Sequence, residues 1–230
     1  MKAPIAVALD APDLATAKNW AVAVSPYVTT LKIGLETYLR DGKESIHEIR
    51  KLSDCDIFLD LKLHDIPATV IGACKSVAEL APKYLTVHAS GGKDMISAAV
   101  QTLPNTLIVA VTILTSIDDK NLQEIGFSSS PSQSSIKLAQ LAVAAGARAI
   151  VCSAQEVSEI RRNVADDIVL ITPGIRPAGK NRDDQQRIAT PQEAISNGAD
   201  LLVIGRPITS EIDVSAAAKV ISDEVNDFYL

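Results

Sequence analysis

The sequence predicts an α/β protein folded as a single (β/α)8 barrel, the TIM-barrel architecture. Three observations carry that expectation: β-rich runs recur along the whole chain, helical start and stop signals fill the gaps between them, and the apolar content is aliphatic rather than aromatic. The runs fall at 5–10, 30–34, 57–62, 84–89, 107–114, 149–153, 169–173 and 201–205, which makes eight. In the gaps, Thr190-Pro191-Gln192-Glu193 reads as an N-cap, a proline at the first helical position and a capping-box acid, and Asn197-Gly198 ends that helix. Ser153-Ala154-Gln155-Glu156 repeats the capping-box pattern directly after the sixth run, and Gly146 supplies a helix stop before it. Strict alternation of this kind specifies a parallel sheet, and eight units in 230 residues favour closure over an open doubly wound sheet. No G-x-G-x-x-G follows the first run, which removes the usual reason to expect a dinucleotide fold.

Residues 1–230 are expected to form one domain, without repeats. The Ser-rich stretch 128–135 is short, and is expected to be a mobile loop after the fifth strand rather than a linker. A 47% hydrophobic content is enough for a substantial core, and with aromatics at 3% that core must be Ala, Val, Ile and Leu, the mixture of buried parallel strands.

Composition also narrows the function classes. A net charge of −6 with no basic stripe argues against nucleic acid as a partner. The apolar runs are broken well short of a membrane span, and the start of the chain runs straight into Asp10, so a cytoplasmic location and no membrane association are expected. Cys55, Cys74 and Cys152 are odd in number and lack C-x-x-C spacing, which fits buried, inert thiols. His47, His64 and His88 lack metal spacing, and are expected at the surface, in loops or at a strand end.

In a barrel of this type the working residues sit at the C-terminal ends of the strands. Asp10 ends the first run, Lys32 lies near the end of the second, Asp60 and Lys62 end the third, and Thr115-Ser116 follow the fifth. Asp60 and Lys62 are two apart on one strand and project to the same face, where buried charge is costly unless it is used; Lys32 on the next strand can join them. The plainer alternative is an ion pair that plugs the barrel top. Pro173-Gly174-Ile175-Arg176 follows the seventh strand and Gly205-Arg206 the eighth, the two loops that most often hold a phosphate in this fold. Glycines admit an anion close to backbone N–H groups, and a guanidinium binds it bidentately. The polar stretch 178–187 between them reads as a lid, with Gln185 able to reach the phosphate on closure.

Taken together, Asp60-Leu61-Lys62-Leu63-His64-Asp65-Ile66-Pro67-Ala68-Thr69 with Lys32 upstream resembles the signature of the orotidine 5'-monophosphate decarboxylases. The likeness runs from Val7-Ala8-Leu9-Asp10 through Leu114-Thr115-Ser116 and Thr172-Pro173-Gly174-Ile175-Arg176 to Ile204-Gly205-Arg206; Ala68 stands where bacterial relatives often carry Asn. The resemblance implies conversion of orotidine 5'-monophosphate to UMP and CO2, the last step of pyrimidine nucleotide synthesis, without metal or organic cofactor. It implies Lys62 as proton donor, with Lys32, Asp60 and Asp65 completing an alternating charge network. It further implies a homodimer in which Asp65 and Thr69 serve the neighbouring subunit's site. Asp10 and Lys32 would bind the ribose hydroxyls, Thr115 and Ser116 would sit near the pyrimidine, and Pro173, Arg176, Gln185, Gly205 and Arg206 would line or hold the phosphate side. Two rivals share parts of this pattern. Metal-dependent sugar-phosphate decarboxylases have the D-x-K-x-x-D core but an acid in place of Lys32. A non-catalytic nucleotide-binding barrel would keep the pocket, yet would have little reason to keep the costly charges.

Overall fold

The computed structural model describes residues 1–177 and 187–229. Gln185, and all of the stretch read as a lid except Arg187, lie outside the described residues. The strands are β1 (Ala3–Ala8), β2 (Val28–Gly34), β3 (Asp56–Leu63), β4 (Tyr84–His88), β5 (Leu107–Val111), β6 (Ala149–Val151), β7 (Val169–Thr172) and β8 (Leu201–Ile204). They form a closed barrel in chain order. Every pairing is parallel, and β1 bonds to both β2 and β8, which rules out the open sheet. All eight expected strands are present, with different ends. β5 stops at Val111 rather than Leu114, because the Leu114 carbonyl closes a turn with the N–H of Ile117 at 3.0 Å and so leaves the ladder.

Period-two alternation sorts the strand residues into two cores. One face supplies Ala6, Phe58, Tyr84, Val109, Ala149, Ile171 and Leu201, which pack on one another, with the Phe58 and Tyr84 rings 5.5 Å apart. The opposite face supplies Val7, Leu31, Leu59 and Leu85, which pack with helix residues such as Ala21, Ile46, Cys74 and Ile96. Each aliphatic side chain so buried contributes about 1.5–3 kcal/mol. The inner core therefore forms a floor, and the next inward positions along β2, β3 and β4 are polar: Lys32, Asp60 and Thr86, all buried.

Local signals explain the helix ends. Thr190 and Glu193 make the full reciprocal capping box of helix Pro191–Ser196, as expected. Gly198, at φ +100°, follows that helix, and Gly146, at φ +97°, follows helix Pro131–Ala144. Two expectations fail here. Much of the Ser-rich stretch is not a loop, because Ser130 caps Pro131–Ala144 by accepting from the Gln133 N–H, Pro131 occupies the first turn, and Ser134 and Ser135 are buried. Nor does Ser153 start a helix. The helix begins at Val157, although Glu156 does accept from the Ser153 N–H at 3.0 Å.

The three cysteines are free and buried, and burial pushes the Cys74 thiol up to about 11. No helix among the described residues is long and apolar enough to cross a membrane.

Candidate active site

At the top of the inner core, β2 and β3 are registered so that Lys32 pairs with Phe58 and Gly34 with Asp60. This stagger sets the Lys32 ammonium 3.3 Å from Asp60 Oδ2 and 3.5 Å from Asp10 Oδ2. Lys62 Nζ donates to both oxygens of Asp60, at 2.9 Å each. The result is a chain of alternating charge, Asp10, Lys32, Asp60, Lys62, running across three strands. Burial works to raise the Asp60 carboxyl, but the Lys32 and Lys62 charges, with hydrogen bonds from Lys62 and Thr86, hold it below its ordinary value.

Lys62 reaches this position through an irregularity in β3. Its φ is +48°, and the β3–β4 register shifts between Leu59 and Leu63. Left-handed backbone costs a non-glycine residue roughly 1–2 kcal/mol and persists only where its surroundings enforce it. Thr86 does the enforcing: its Oγ1 accepts from the Lys62 N–H at 2.8 Å and donates to Asp60 Oδ1 at 3.0 Å. Asp60 and Lys62 therefore share a face as expected, but through a kinked and side-chain-bonded strand rather than by alternation alone. Beyond Thr86 on β4, the ring of half-buried His88 lies 5.4 Å from that of His64, tilted by 37°. Burial, together with the charges of His64 and Lys62, holds the His88 imidazole below its ordinary range.

A cleft opens over this cluster in two connected parts that share Lys32, Pro173 and Val203. The inner part, about 220 Å³, is apolar on most sides (Phe58, Val111, Ile113, Leu114, Cys152), with Asp60, Lys62, Thr115 and Ser116 also on its wall. The outer part, about 480 Å³, is lined by Asp10, Arg176, Gly205 and Arg206. Gly174 has φ +77°, a conformation that admits glycine most readily, and it turns the chain so that Arg176 is buried beside the outer part. The geometry suits an elongated ligand with a flat head against the charged floor and an anion at the far end.

Most of the predicted residues meet here: Asp10, Lys32, Asp60, Lys62, Thr115, Ser116, Pro173, Arg176, Gly205 and Arg206. Asp65 and Thr69 do not line this chain's cleft. Both are exposed, Asp65 between β3 and the helix Pro67–Val77 and Thr69 in the first turn of that helix, and Asp65 accepts from the Ile66 N–H at 2.6 Å. Sequence reading missed Thr86 and His88, whose signal was a polar residue at every second position of Tyr84-Leu85-Thr86-Val87-His88. It also missed Gly34, where a Cβ would lie 2.6 Å from Asp10 Oδ1 and 2.9 Å from Lys32 Nζ. That glycine lets two charged side chains fold back over the strand.

Known proteins share this sequence pattern and this fold. The model of the orotidine 5'-phosphate decarboxylase / HUMPS family matches residues 3–221. The orotidine 5'-phosphate decarboxylase of Thermobifida fusca is 56% identical over 225 residues, covering 98% of this chain and 97% of that protein. That of Frankia casuarinae is 47% identical, covering 96% and 87%. The crystal structure of the orotidine 5'-phosphate decarboxylase from Lactobacillus acidophilus superposes with a TM-score of 0.84 at 34% identity, covering 98% of this chain and all of that one.

Proposed function

The chain belongs to the orotidine 5'-phosphate decarboxylase / HUMPS family, whose model spans residues 3–221, and from that premise we propose that it decarboxylates orotidine 5'-monophosphate to UMP with Lys62 as the proton donor to C6. One observation carries this reading: an ammonium held by a buried carboxylate stands on the floor of a narrow apolar pocket whose far end opens toward Arg176, Gly205 and Arg206. The C6–carboxylate bond breaks, CO2 leaves, and the electron pair stays on C6. Lys62 Nζ then delivers a proton to that carbon and is reprotonated from solvent. Before donating, the Lys62 ammonium acts as a counter-charge to the developing carbanion.

Proton donation typically contributes about 10² to 10⁴ in rate, well short of what such a reaction demands. The remainder falls to preorganised charge and to binding energy from the phosphate end of the substrate, which Arg176, Arg206, the Gly205 turn and Gln185 would supply. Asp10 and Lys32 would take the ribose hydroxyls, and Thr115 and Ser116 the pyrimidine edge. The chemistry of the cluster needs no metal or organic cofactor. Two copies would pair through the exposed segment after β3, where Ile66 is 65% exposed, with Asp65 and Thr69 of each serving the other's cleft.

The family also holds sugar-phosphate enzymes, and Lys32 disfavours that assignment. Its ammonium sits between Asp10 and Asp60, where a metal-dependent relative would carry another acid. The test is an absorbance assay with orotidine 5'-monophosphate in excess chelator and no added cofactor. Turnover to UMP is expected; an intact substrate in the presence of folded protein would refute the reading, and tight UMP binding without turnover would mark a non-catalytic barrel.

Gly34→Ala supplies a further check. The atoms its Cβ would strike are the ends of two side chains, so the fold can stay while Asp10 and Lys32 move. Misplacement by about 1 Å costs up to about 10²-fold in rate. The expected result is kcat/KM lowered about 10- to 100-fold with Tm within a few degrees; unchanged kinetics would show that neither side chain needs its present position.

A further inference from the structure

A second buried ion pair lies at the barrel mouth, away from the charged floor. Arg187 Nη1 donates to Glu156 Oε1, and the side chains are 11% and 3% exposed. Arg187 Nη2 donates to the Leu114 carbonyl at 2.8 Å and, more weakly, to that of Ile113 at 3.4 Å. The other oxygen of Glu156 accepts from the Ser153 N–H at 3.0 Å. One guanidinium thus ties together three segments of chain that follow β5, β6 and β7.

The carbonyl it holds has a particular place in the site. Leu114 O also accepts from the Ile117 N–H, so Thr115 and Ser116 are the two central residues of a turn closed by that oxygen. Ile113, Leu114, Thr115 and Ser116 all line the inner part of the cleft. Arg187 lines neither the inner nor the outer part; it faces a separate hollow beside Asp118 and Ser130.

A peg of purely mechanical use would not need these charges. Apolar side chains of similar volume are often as stable as a buried ion pair, or more so. Burial raises the Glu156 carboxyl above its ordinary value, with Arg187 and the Ser153 N–H opposing that push, so the pair is retained against a desolvation penalty. What a guanidinium adds is a planar fork that fixes a carboxylate and a carbonyl at set angles at once.

We propose that Arg187, braced by Glu156, is a positioning residue for the reaction: by holding the Leu114 carbonyl it fixes the turn that presents Thr115 and Ser116 to the pyrimidine side of the cleft. The inference rests on the decarboxylase reading of that cleft and adds a residue that touches no substrate.

The experiment compares wild type, Arg187→Met, Arg187→Lys and the double variant Arg187→Met with Glu156→Gln. Four quantities are measured: kcat and KM for orotidine 5'-monophosphate, Tm, and competitive inhibition by inorganic phosphate. Arg187→Met leaves Glu156 buried without a counter-charge, so both Tm and kcat/KM are expected to fall, the latter about 10- to 100-fold. The double variant removes the stranded carboxylate. It is expected to regain most of the Tm and to remain as slow as Arg187→Met, because the Leu114 carbonyl keeps the Ile117 N–H but still lacks the guanidinium that anchors the turn to the rest of the mouth. Inhibition by phosphate is expected to stay within about twofold throughout, since the outer part of the cleft is untouched.

Recovery of activity together with Tm in the double variant would overturn the proposal, leaving Arg187 a structural peg. Loss of phosphate inhibition in step with activity would overturn it too, by making Arg187 part of the anion site. If Arg187→Met does not fold, Arg187→Lys decides: it keeps the charge but cannot span Glu156 and Leu114 together, so a folded variant about 10-fold slow supports the proposal and wild-type kinetics refute it. Failure of the functional reading is distinct from all of these. A folded wild type that leaves orotidine 5'-monophosphate intact would take this inference down with that reading, whereas variants that match an active wild type would sink this inference alone.

Discussion

Lys62→Ala is expected to lower kcat/KM for orotidine 5'-monophosphate by at least about 10⁴-fold, equivalent to about 5.4 kcal/mol of transition-state stabilisation. Two losses combine. The general acid, worth about 10² to 10⁴, disappears, and so does a cation facing the carbon where negative charge develops, worth about a further 10² to 10³. The variant should fold. Alanine also carries a Cβ, so the left-handed backbone at position 62 is no more strained than in the wild type, and Asp60 keeps Lys32 at 3.3 Å and Thr86 at 3.0 Å. The Lys62 side chain is 31% exposed, so its removal opens no sealed cavity. UMP affinity is expected to change by less than about tenfold, because the product has no charge at C6 for Lys62 to stabilise. Steady-state kinetics beside UMP titration checks both parts. Activity within about tenfold of wild type would remove Lys62 from the chemistry, and loss of UMP binding in parallel would make it a general binding residue instead.

The fold was legible because each of its signals is local. Eight β-rich runs, the Thr190 capping box and the stops at Gly146 and Gly198 all survive in the structure, since a strand's existence and a cap depend on neighbours in sequence, whereas the strand ends shifted. The misreadings came where one residue type serves two ends. Ser130-Pro131 belongs to a helix start as readily as to a loop, and the buried Ser134 and Ser135 give the helix its footing. Glu156 has the spacing of a capping-box acid and makes half of one, but its other oxygen goes to Arg187, thirty-one residues away. No local pattern announces such a partner. The charged floor was half legible: spacing placed Asp60 beside Lys62, whereas the kink at Lys62 and its hold by Thr86 depend on β4 packing alongside. Asp65 and Thr69 were expected through resemblance alone, and a single chain leaves both exposed.

Asp60→Asn separates two accounts of the buried carboxylate. In one, Asp60 repels the substrate carboxylate; two like charges at ~4 Å in an effective dielectric near 20 interact by about 4 kcal/mol, so relief of that repulsion should tighten substrate binding measurably. In the other, Asp60 holds the lysines. The geometry favours the second, because Lys62 engages both oxygens while Lys32 lies against one and Thr86 donates to the other, leaving little uncompensated charge to repel anything. The expected result is kcat lowered about 10²- to 10³-fold, with the affinity for orotidine 5'-monophosphate no tighter relative to UMP than in the wild type. Asparagine can still accept a hydrogen bond from the lysines, but it leaves their two ammonium groups without the shared counter-charge that holds them in place. Stability supplies an independent sign. The Asp60 carboxyl is held below its ordinary value of 3.8 in the folded chain, so its contribution is fully present above that pH and fades as pH falls through the lowered value. Acid unfolding of the wild type should carry this component, and Asp60→Asn should lack it. Substrate binding that tightens in the variant while UMP affinity stays fixed would return the carboxylate to the role of a repelling charge.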